Sequence, residues 1–576
     1  MASCGNSNTD HSLGVPTPND AFNLMKSNFF DELWKLYPAW ASSQGYHYND
    51  SLFAIADADF RQREAEFVKN WQHKLWQFKP EELSPADRTD WLMLDNQLKA
   101  TLFYANEYKG YEWDPSSYNV GSTFGEMING TYAPLNERMK YILQRLAFVP
   151  AYYENARKQI KNPTLEHTDL AISQNRGSAG LFGKDLQDSV AKTNLSSADK
   201  KLFNERIAAA AAAINGYADW LEKEVKPGLT KDGVKSFRLG KDLFEKKFDF
   251  EIQSHYTAAE IYDIAIKHKK ELHGEMYKLT TQLWPKYLAK ETMPKDTLSA
   301  IRKMIDKLSD KHSKREDFQK DIEAQIPALA KFVKDKNLLY LDPSKPLEVR
   351  KEPDYMAGVA GASISAPGPY DKDGKTFYNV GSLAAYTPER AESYLREYNH
   401  YILQILNIHE AIPGHYAQLV YSNQSPSLVK SILGNGAMVE GWAVYTERMM
   451  IESGYGANEP EMWLMYYKWN LRATCNTILD VGIHCNNLSE ADALDLMTRQ
   501  AFQQEAEAKG KWRRATLTQV QLCSYFTGYT EIYEFRNILK QKQGDKFDLK
   551  AFHEKFLSYG SAPVKYVREL MEKEME

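Results

Sequence analysis

Cysteine is scarce in this chain of 576 residues: there are four, Cys4, Cys475, Cys485 and Cys523. So few build no disulfide framework. If Cys475 and Cys485 share one helix, they stand about 15 Å apart and cannot bond to each other. Long apolar runs are missing as well. No segment reaches the roughly 20 apolar residues that span a bilayer as a helix, and no complete signal peptide is present. A surplus of positive charge is also lacking. The 72 Lys and Arg face 77 Asp and Glu, for a net charge of −5. With no polybasic run, this argues against a nucleic-acid partner.

What is present is an ordinary globular balance, 43% apolar and 26% charged, enough to build a large core. The length allows several domains, although helical enzymes of this size often fold as one body. Aromatic residues reach 12%, with 35 Tyr and 12 Trp. That suits a cleft gripping a peptide-like ligand, and equally a large core with amphipathic side chains at its margin. The first residues, Met1-Ala2-Ser3-Cys4-Gly5, turn polar after the cysteine. They are similar to the last part of a bacterial lipoprotein signal, in which Cys4 becomes the lipidated first residue. We therefore expect a chain that starts near a mature terminus, anchored in the bacterial cell envelope through a lipid on Cys4. The alternative is a chance Ala-Ser-Cys on a floppy terminus, and a cytoplasmic protein.

Residues 1–19 read as a flexible tether. Helical periodicity then predicts helices over Ala21–Tyr37, Leu52–Phe78, Ser84–Tyr108, Pro134–Arg157, Ser197–Glu224, Thr257–Leu283 and Arg315–Lys334. The texture changes near Asn337. Short strands are expected at Leu338–Leu341, Leu347–Val349 and Thr376–Val380, with a Gly- and Pro-rich stretch at 357–369 and a turn at 371–374. Helix resumes at Pro388, capped by Thr387, and is expected to run through Ile408. The C-terminal third is again helical, interrupted at Gly434–Gly436 and near Gly482. The fold class is therefore mainly α: a tether (1–19), a helical region (20–336), and a catalytic region (337–576) with a small sheet beside the active-site helix. The two regions are expected to form one body around a central cleft.

The segment His409-Glu410-Ala411-Ile412-Pro413-Gly414-His415 carries the chemistry. A zinc hydrolase needs three protein ligands, an open position for water, and a carboxylate to take the water's proton. The common helical solution places two histidines four residues apart, on one face. Here the spacing is six, which on a regular helix sets them roughly 240° apart. Pro413 has no N–H for the carbonyl of His409, and Gly414 admits unusual conformations. The helix should break there and return His415 to the metal side; otherwise His415 merely caps the helix. Glu440, a lone carboxylate in the apolar stretch Gly436–Ala443, is the candidate third ligand, since a metal would offset the cost of burying it. Its alternative is an ion pair with Arg448 or Arg472. Glu447, two turns on, can support the site. Glu410 is then the general base. Tyr525 and Tyr529 are candidate oxyanion donors, although helical tyrosines more often line a core. Arg536 is a candidate clamp for a peptide carboxylate.

His-Glu-Ala-Ile-Pro-Gly-His followed by Gln418 resembles the signature of the bacterial domain-of-unknown-function 885 family, many of whose members are lipoproteins. Phe237-Arg238-Leu239-Gly240-Lys241, Phe377-Tyr378-Asn379, Glu440-Gly441-Trp442-Ala443 and the Gln521, Tyr525, Gly528 pattern extend the resemblance from about residue 20 to the C-terminus. One departure is Gln519, where the family pattern has a proline nearby. The family is similar to helical gluzincin peptidases. That resemblance implies Zn2+ as cofactor, His409, His415 and Glu440 as ligands, and Glu410 as base. It also implies that the strand bearing Tyr378 and Asn379 lines the cleft and pairs with the substrate backbone. The expected activity is zinc-dependent hydrolysis of peptide bonds. A zinc amidase acting on non-peptide amides, and a surface lipoprotein that binds peptides without catalysis, are the alternatives.

Overall fold

The structure, a computed structural model, describes residues 17–229, 234–352, 362–371 and 374–575. Cys4, most of the expected tether, part of the Gly- and Pro-rich stretch and Lys372–Asp373 of the expected turn lie outside these residues. The protein is mainly helical, with one three-stranded sheet among the described residues. Among the described residues, no helix is long and apolar enough to cross a membrane.

Local chemistry sets the helix boundaries. Pro18–Leu36 begins at a capping box in which Thr17 and Asp20 satisfy each other's backbone N–H groups, and its Phe22, Phe29, Leu33 and Trp34 are buried. The predicted Leu52–Phe78 helix is shorter, Ala58–Leu75, because Asp57 accepts the N–H of Phe60 and so starts it late. Pro134–Arg157 is two helices, Leu135–Leu146 and Val149–Gln159, parted at Pro150, which has no N–H to continue the first. The predicted run from Pro388 to Ile408 is also two, Pro388–Glu397 and His400–Glu410. Asn399 intervenes and takes the N–H groups of Tyr401 and Ile402 on its side-chain oxygen. The break expected near Gly482 falls later. The helix Pro460–Asn486 passes that residue and ends at Asn487, which is left-handed at φ +54°, while the N–H of Leu488 bonds back to the Gly482 carbonyl. Cys475 and Cys485 therefore share one helix, and both are free.

The sheet comprises β1 (Leu347–Lys351), β2 (Ala362–Ser365) and β3 (Thr376–Val380), in the order β1-β3-β2, with β1 parallel and β2 antiparallel to β3. The strand expected at Leu338–Leu341 is not formed. Its backbone is held by side chains instead: His553 donates to the Leu338 carbonyl, Tyr421 to the Tyr340 carbonyl, and the Tyr340 N–H goes to Glu554.

Among the described residues, two apolar cores result. The larger draws on residues from Phe22 to Met571, on both sides of the texture change at residue 337. The buried residues of the smaller run from Tyr118 to Leu221 and include Ala210 of the alanine run, with Phe53 packed against them. Within the larger core, Gly436–Glu452 packs side by side with Cys523–Gln543, and Pro460–Asn486 lies against both. The first two helices touch backbone to backbone at Gly441 and Gly528. A Cβ at Gly528 would overlap the carbonyl oxygen of Ala437.

Candidate metal centre

The helix His400–Glu410 stops where its hydrogen bonding fails. The N–H groups of Ala411 and Ile412 both go to the Asn407 carbonyl, at 3.0 and 3.2 Å. Pro413 donates nothing, and the Gly414 N–H returns to Ile408 at 3.0 Å. Gly414 is pressed so closely on this end that a Cβ there would overlap the His409 carbonyl oxygen. Its glycine is required by close approach, not by a left-handed φ, since φ is −73°. The Ile412–Pro413 peptide is cis. The indole Nε1 of Trp442 donates to the Pro413 carbonyl at 2.9 Å, and a second helix, His415–Asn423, starts at once. The break thus spans Ala411–Gly414, opening two residues ahead of the expected Pro413–Gly414, and it returns His415 to the cluster side as the six-residue spacing requires.

It brings the rings of His409 and His415 to 4.7 Å, nearly perpendicular. Glu440, from the neighbouring helix, places Oε2 3.7 Å from Nε2 of His409 and 3.3 Å from Nε2 of His415. One ligand atom from each of the three residues lies within 4.8 Å of the others. Ligand atoms on a tetrahedral zinc at 2.0–2.1 Å stand roughly 3.3 Å apart, so this opening is of the right size. Glu440 Oε2 and His415 Nδ1 are buried without a hydrogen-bond partner among the described residues, a costly state that a cation would relieve for the carboxylate. The arginines weighed as partners of Glu440 are engaged elsewhere: Arg448 with Glu452 at 2.8 Å, Arg472 with Glu507 at 2.5 Å.

Behind the cluster, His409 Nδ1 meets Glu447 Oε1 at 2.7 Å, and Trp469 Nε1 donates to the same oxygen at 2.9 Å. This leaves Nε2 of His409 facing the cluster, the usual arrangement around a ligating histidine. Burial disfavours a proton on His409, but Glu440 and Glu447 outweigh it and raise its pKa to about 10. Glu440 is also disfavoured as an anion by burial, yet the two imidazoles hold its carboxyl below the usual range. Burial pushes Glu410 upward, with His415 and His409 opposing. Three carboxylates around two imidazoles form a hollow that attracts positive charge.

Of the remaining candidates, one joins the cluster. Tyr525 lies nearly parallel to His409 with ring centroids 6.5 Å apart, and its hydroxyl accepts a bond from Arg514 at 3.1 Å. Burial, then Glu440, pushes its pKa up to about 12. Tyr529 is turned away: its hydroxyl accepts from Arg448 at 3.3 Å, and its ring stacks on Tyr533. Arg536 is buried against Glu452 at 2.8 Å and lies over Tyr445 and Tyr533, so its charge is spent inside the fold. Tyr378 and Asn379 are fully buried. Tyr378 donates to Asn407 on the motif helix at 2.8 Å. Asn379 accepts from Arg350 at 2.7 Å and donates to Ser365 at 2.7 Å. Their strand β3 is the middle one, with both edges paired, so it has no free edge for a substrate backbone. Both residues brace the site from within. Gln519 takes the Tyr108 hydroxyl on its side chain at 2.8 Å and Lys247 on its carbonyl at 3.0 Å, just ahead of Val520 at φ +73°. Trp469 and Arg514 escaped the sequence reading, because nothing in their spacing marks them.

A mainly helical body with a half-buried His-His-Glu cluster at a broken helix is the class that fold and site define. The chain belongs to the family of bacterial proteins of unknown function known as DUF885, whose model matches residues 38–571. Among solved structures, it is similar to a "putative lipoprotein of unknown function" from Shewanella oneidensis, at 55% identity and a TM-score of 0.87, over 96% of this chain and 99% of that one. It also matches the "putative lipoprotein" from Colwellia psychrerythraea at 16% identity and a TM-score of 0.79, over 97% of this chain and 100% of that one, a likeness of fold. No curated protein matches the sequence.

Proposed function

We propose that the protein is a zinc-dependent peptidase, and the observation that carries this reading is the convergence of His409, His415 and Glu440 next to Glu410. The two imidazoles and the carboxylate would hold the ion, a donor set suited to zinc. Bound there, zinc supplies Lewis acidity, polarising a carbonyl and acidifying a water. The chain's own residues do the rest. Glu410 takes the water's proton on its carboxylate, and burial tunes that group upward toward the task. The Tyr525 hydroxyl, whose ring lies beside His409, donates to the oxyanion of the scissile carbonyl. Glu447 and Trp469 keep His409 in the ligating tautomer. We place the protein in the bacterial envelope, anchored at Cys4. The Ala2-Ser3-Cys4 sequence and the similarity to the Shewanella protein support that placement.

The test is metal analysis followed by peptide digestion. Protein stripped of metal and refilled should take up about one zinc per chain and cleave a peptide library. Glu410→Gln should keep the metal and lose roughly 10²–10⁴-fold in turnover. Failure to bind zinc, or near-normal turnover by Glu410→Gln, refutes the reading. Bound zinc with cleavage of non-peptide amides but no peptides would make the protein an amidase.

A further inference from the structure

Beside the cluster stand cations that this chemistry does not use. Arg472, Lys511 and Arg514 gather around one carboxylate, Glu507, whose pKa they lower together with Lys468. Lys468 is already neutralised by buried Glu397 at 2.8 Å. Arg472 holds Glu507 itself, at 2.5 Å. Lys511 is buried and donates to Asn476 at 2.9 Å. Arg514 is exposed, and its hydrogen-bond partners among the described residues are neutral: Gln521 at 2.8 Å and the Tyr525 hydroxyl at 3.1 Å. Burial pushes Lys511 toward its neutral form, yet Arg472 and Arg514 still outnumber Glu507, and Arg514 is the outward member of the group.

Its position is informative. Arg514 lies one hydrogen bond beyond Tyr525, whose ring is 6.5 Å from that of His409. Extended chain advances roughly 3.3–3.6 Å per residue. An anion on Arg514 thus belongs to a residue one to three places past a carbonyl at the cluster. Around the cluster itself, Glu410, Glu440 and Glu447 repel an anion. The field therefore orients a substrate with its negative end toward Arg514. We propose that Arg514 is a specificity determinant that grips the free C-terminal carboxylate of a peptide, so that the enzyme releases short C-terminal fragments. This proposal rests on the peptidase reading. The guanidinium fork suits a carboxylate, with two parallel N–H donors. It is the role expected from the sequence of Arg536, which the fold has paired with Glu452.

Calorimetry on zinc-loaded Glu410→Gln protein, which would bind peptides without cutting them, tests the proposal. The probes are N-acetylated pentapeptides as free acids, as C-terminal amides, and as amides ending in glutamate. The free acid should bind at least about tenfold more tightly than the amide. Adding Arg514→Gln should abolish the preference by weakening the acid alone, and Arg514→Lys should restore part of it. Equal binding of acid and amide overturns the proposal. So does Arg514→Gln weakening both alike, which would make Arg514 only a support for Tyr525. A glutamate amide that binds as well as the free acid moves the carboxylate to a side chain and overturns the terminal assignment. If wild-type zinc protein cuts no peptide while the acid preference still depends on Arg514, the peptidase reading falls and the carboxylate site stands.

Discussion

His409 can offer a metal only one nitrogen, because Glu447 occupies the other. At the scale of single residues, that pairing is the most sensitive support of the cluster. Glu447→Gln keeps the shape but removes the charge, and zinc affinity should fall roughly 10–100-fold, read by competition with a chelator. Unchanged affinity would show that the His409–Glu447 contact is incidental. Glu440→Ala should weaken zinc more severely, since it removes a ligand; a variant with wild-type affinity would point to another third ligand. His409, Glu410, His415 and Glu440 were legible as residues, since a carboxylate isolated in an apolar stretch needs a reason to be there. Tyr529, Arg536, Tyr378 and Asn379 were equally plausible from their types. Only their neighbours reveal that their polar atoms are already bonded within the fold.

The elements are positioned by two close approaches. The motif helix breaks where Gly414 lies on the His409 carbonyl, and the helix carrying Glu440 meets the helix carrying Tyr525 at Gly441 and Gly528. A methyl group at either place must push backbone, and overpacking of this kind costs about 1–3 kcal/mol, occasionally more. Gly414→Ala and Gly528→Ala should each lower the denaturant midpoint by that order. Each should also weaken zinc, because they shift His415 and Glu440 respectively. Full stability and affinity in both variants would refute the close-contact account. The break itself was readable, since proline removes a donor wherever it sits. The helix–helix approach was not: a glycine in a helical stretch does not announce which partner it faces. For the same reason strand composition located β3 but could not place it in the middle of the sheet.

For the whole molecule, acid should be destabilising below neutral pH. His484 and His553 are each buried as the neutral form with pKa about 4, chiefly through desolvation. Each uses one nitrogen as donor and the other as acceptor. His484 bonds the Ala515 and Thr518 carbonyls and accepts from Leu239; His553 bonds the Leu338 carbonyl and Tyr445. An added proton therefore breaks a bond. Unfolded histidine binds its proton near pH 6.5, so the unfolded chain holds more protons between about pH 6.5 and 4, and stability falls as pH drops through that window. Asp480, which burial holds up at about 7, acts in the opposite sense, as do Glu410 and Glu447, while His268, His273 and His400, lowered by burial, add to the effect of His484 and His553. The urea midpoint should decline from pH 6.5 to 4, and a flat or rising profile would contradict the assignment. Asp480→Asn should steepen the decline.

The sequence by itself determined the helical class, a break in the motif helix ahead of His415, and three residues, His409, His415 and Glu440, that the fold gathers into one cluster. Those follow from periodicity, from a missing N–H, and from the cost of a lone buried charge, all of which are local. Tertiary structure decided which tyrosine faces the cluster, which arginine is left with only neutral partners, and which strand has no free edge. These depend on partners that local pattern does not name: His409 beside Tyr525, Gln521 and Tyr525 on Arg514, and β1 and β2 on the two edges of β3. A side chain's polar atoms are available for function only when the fold has not already satisfied them.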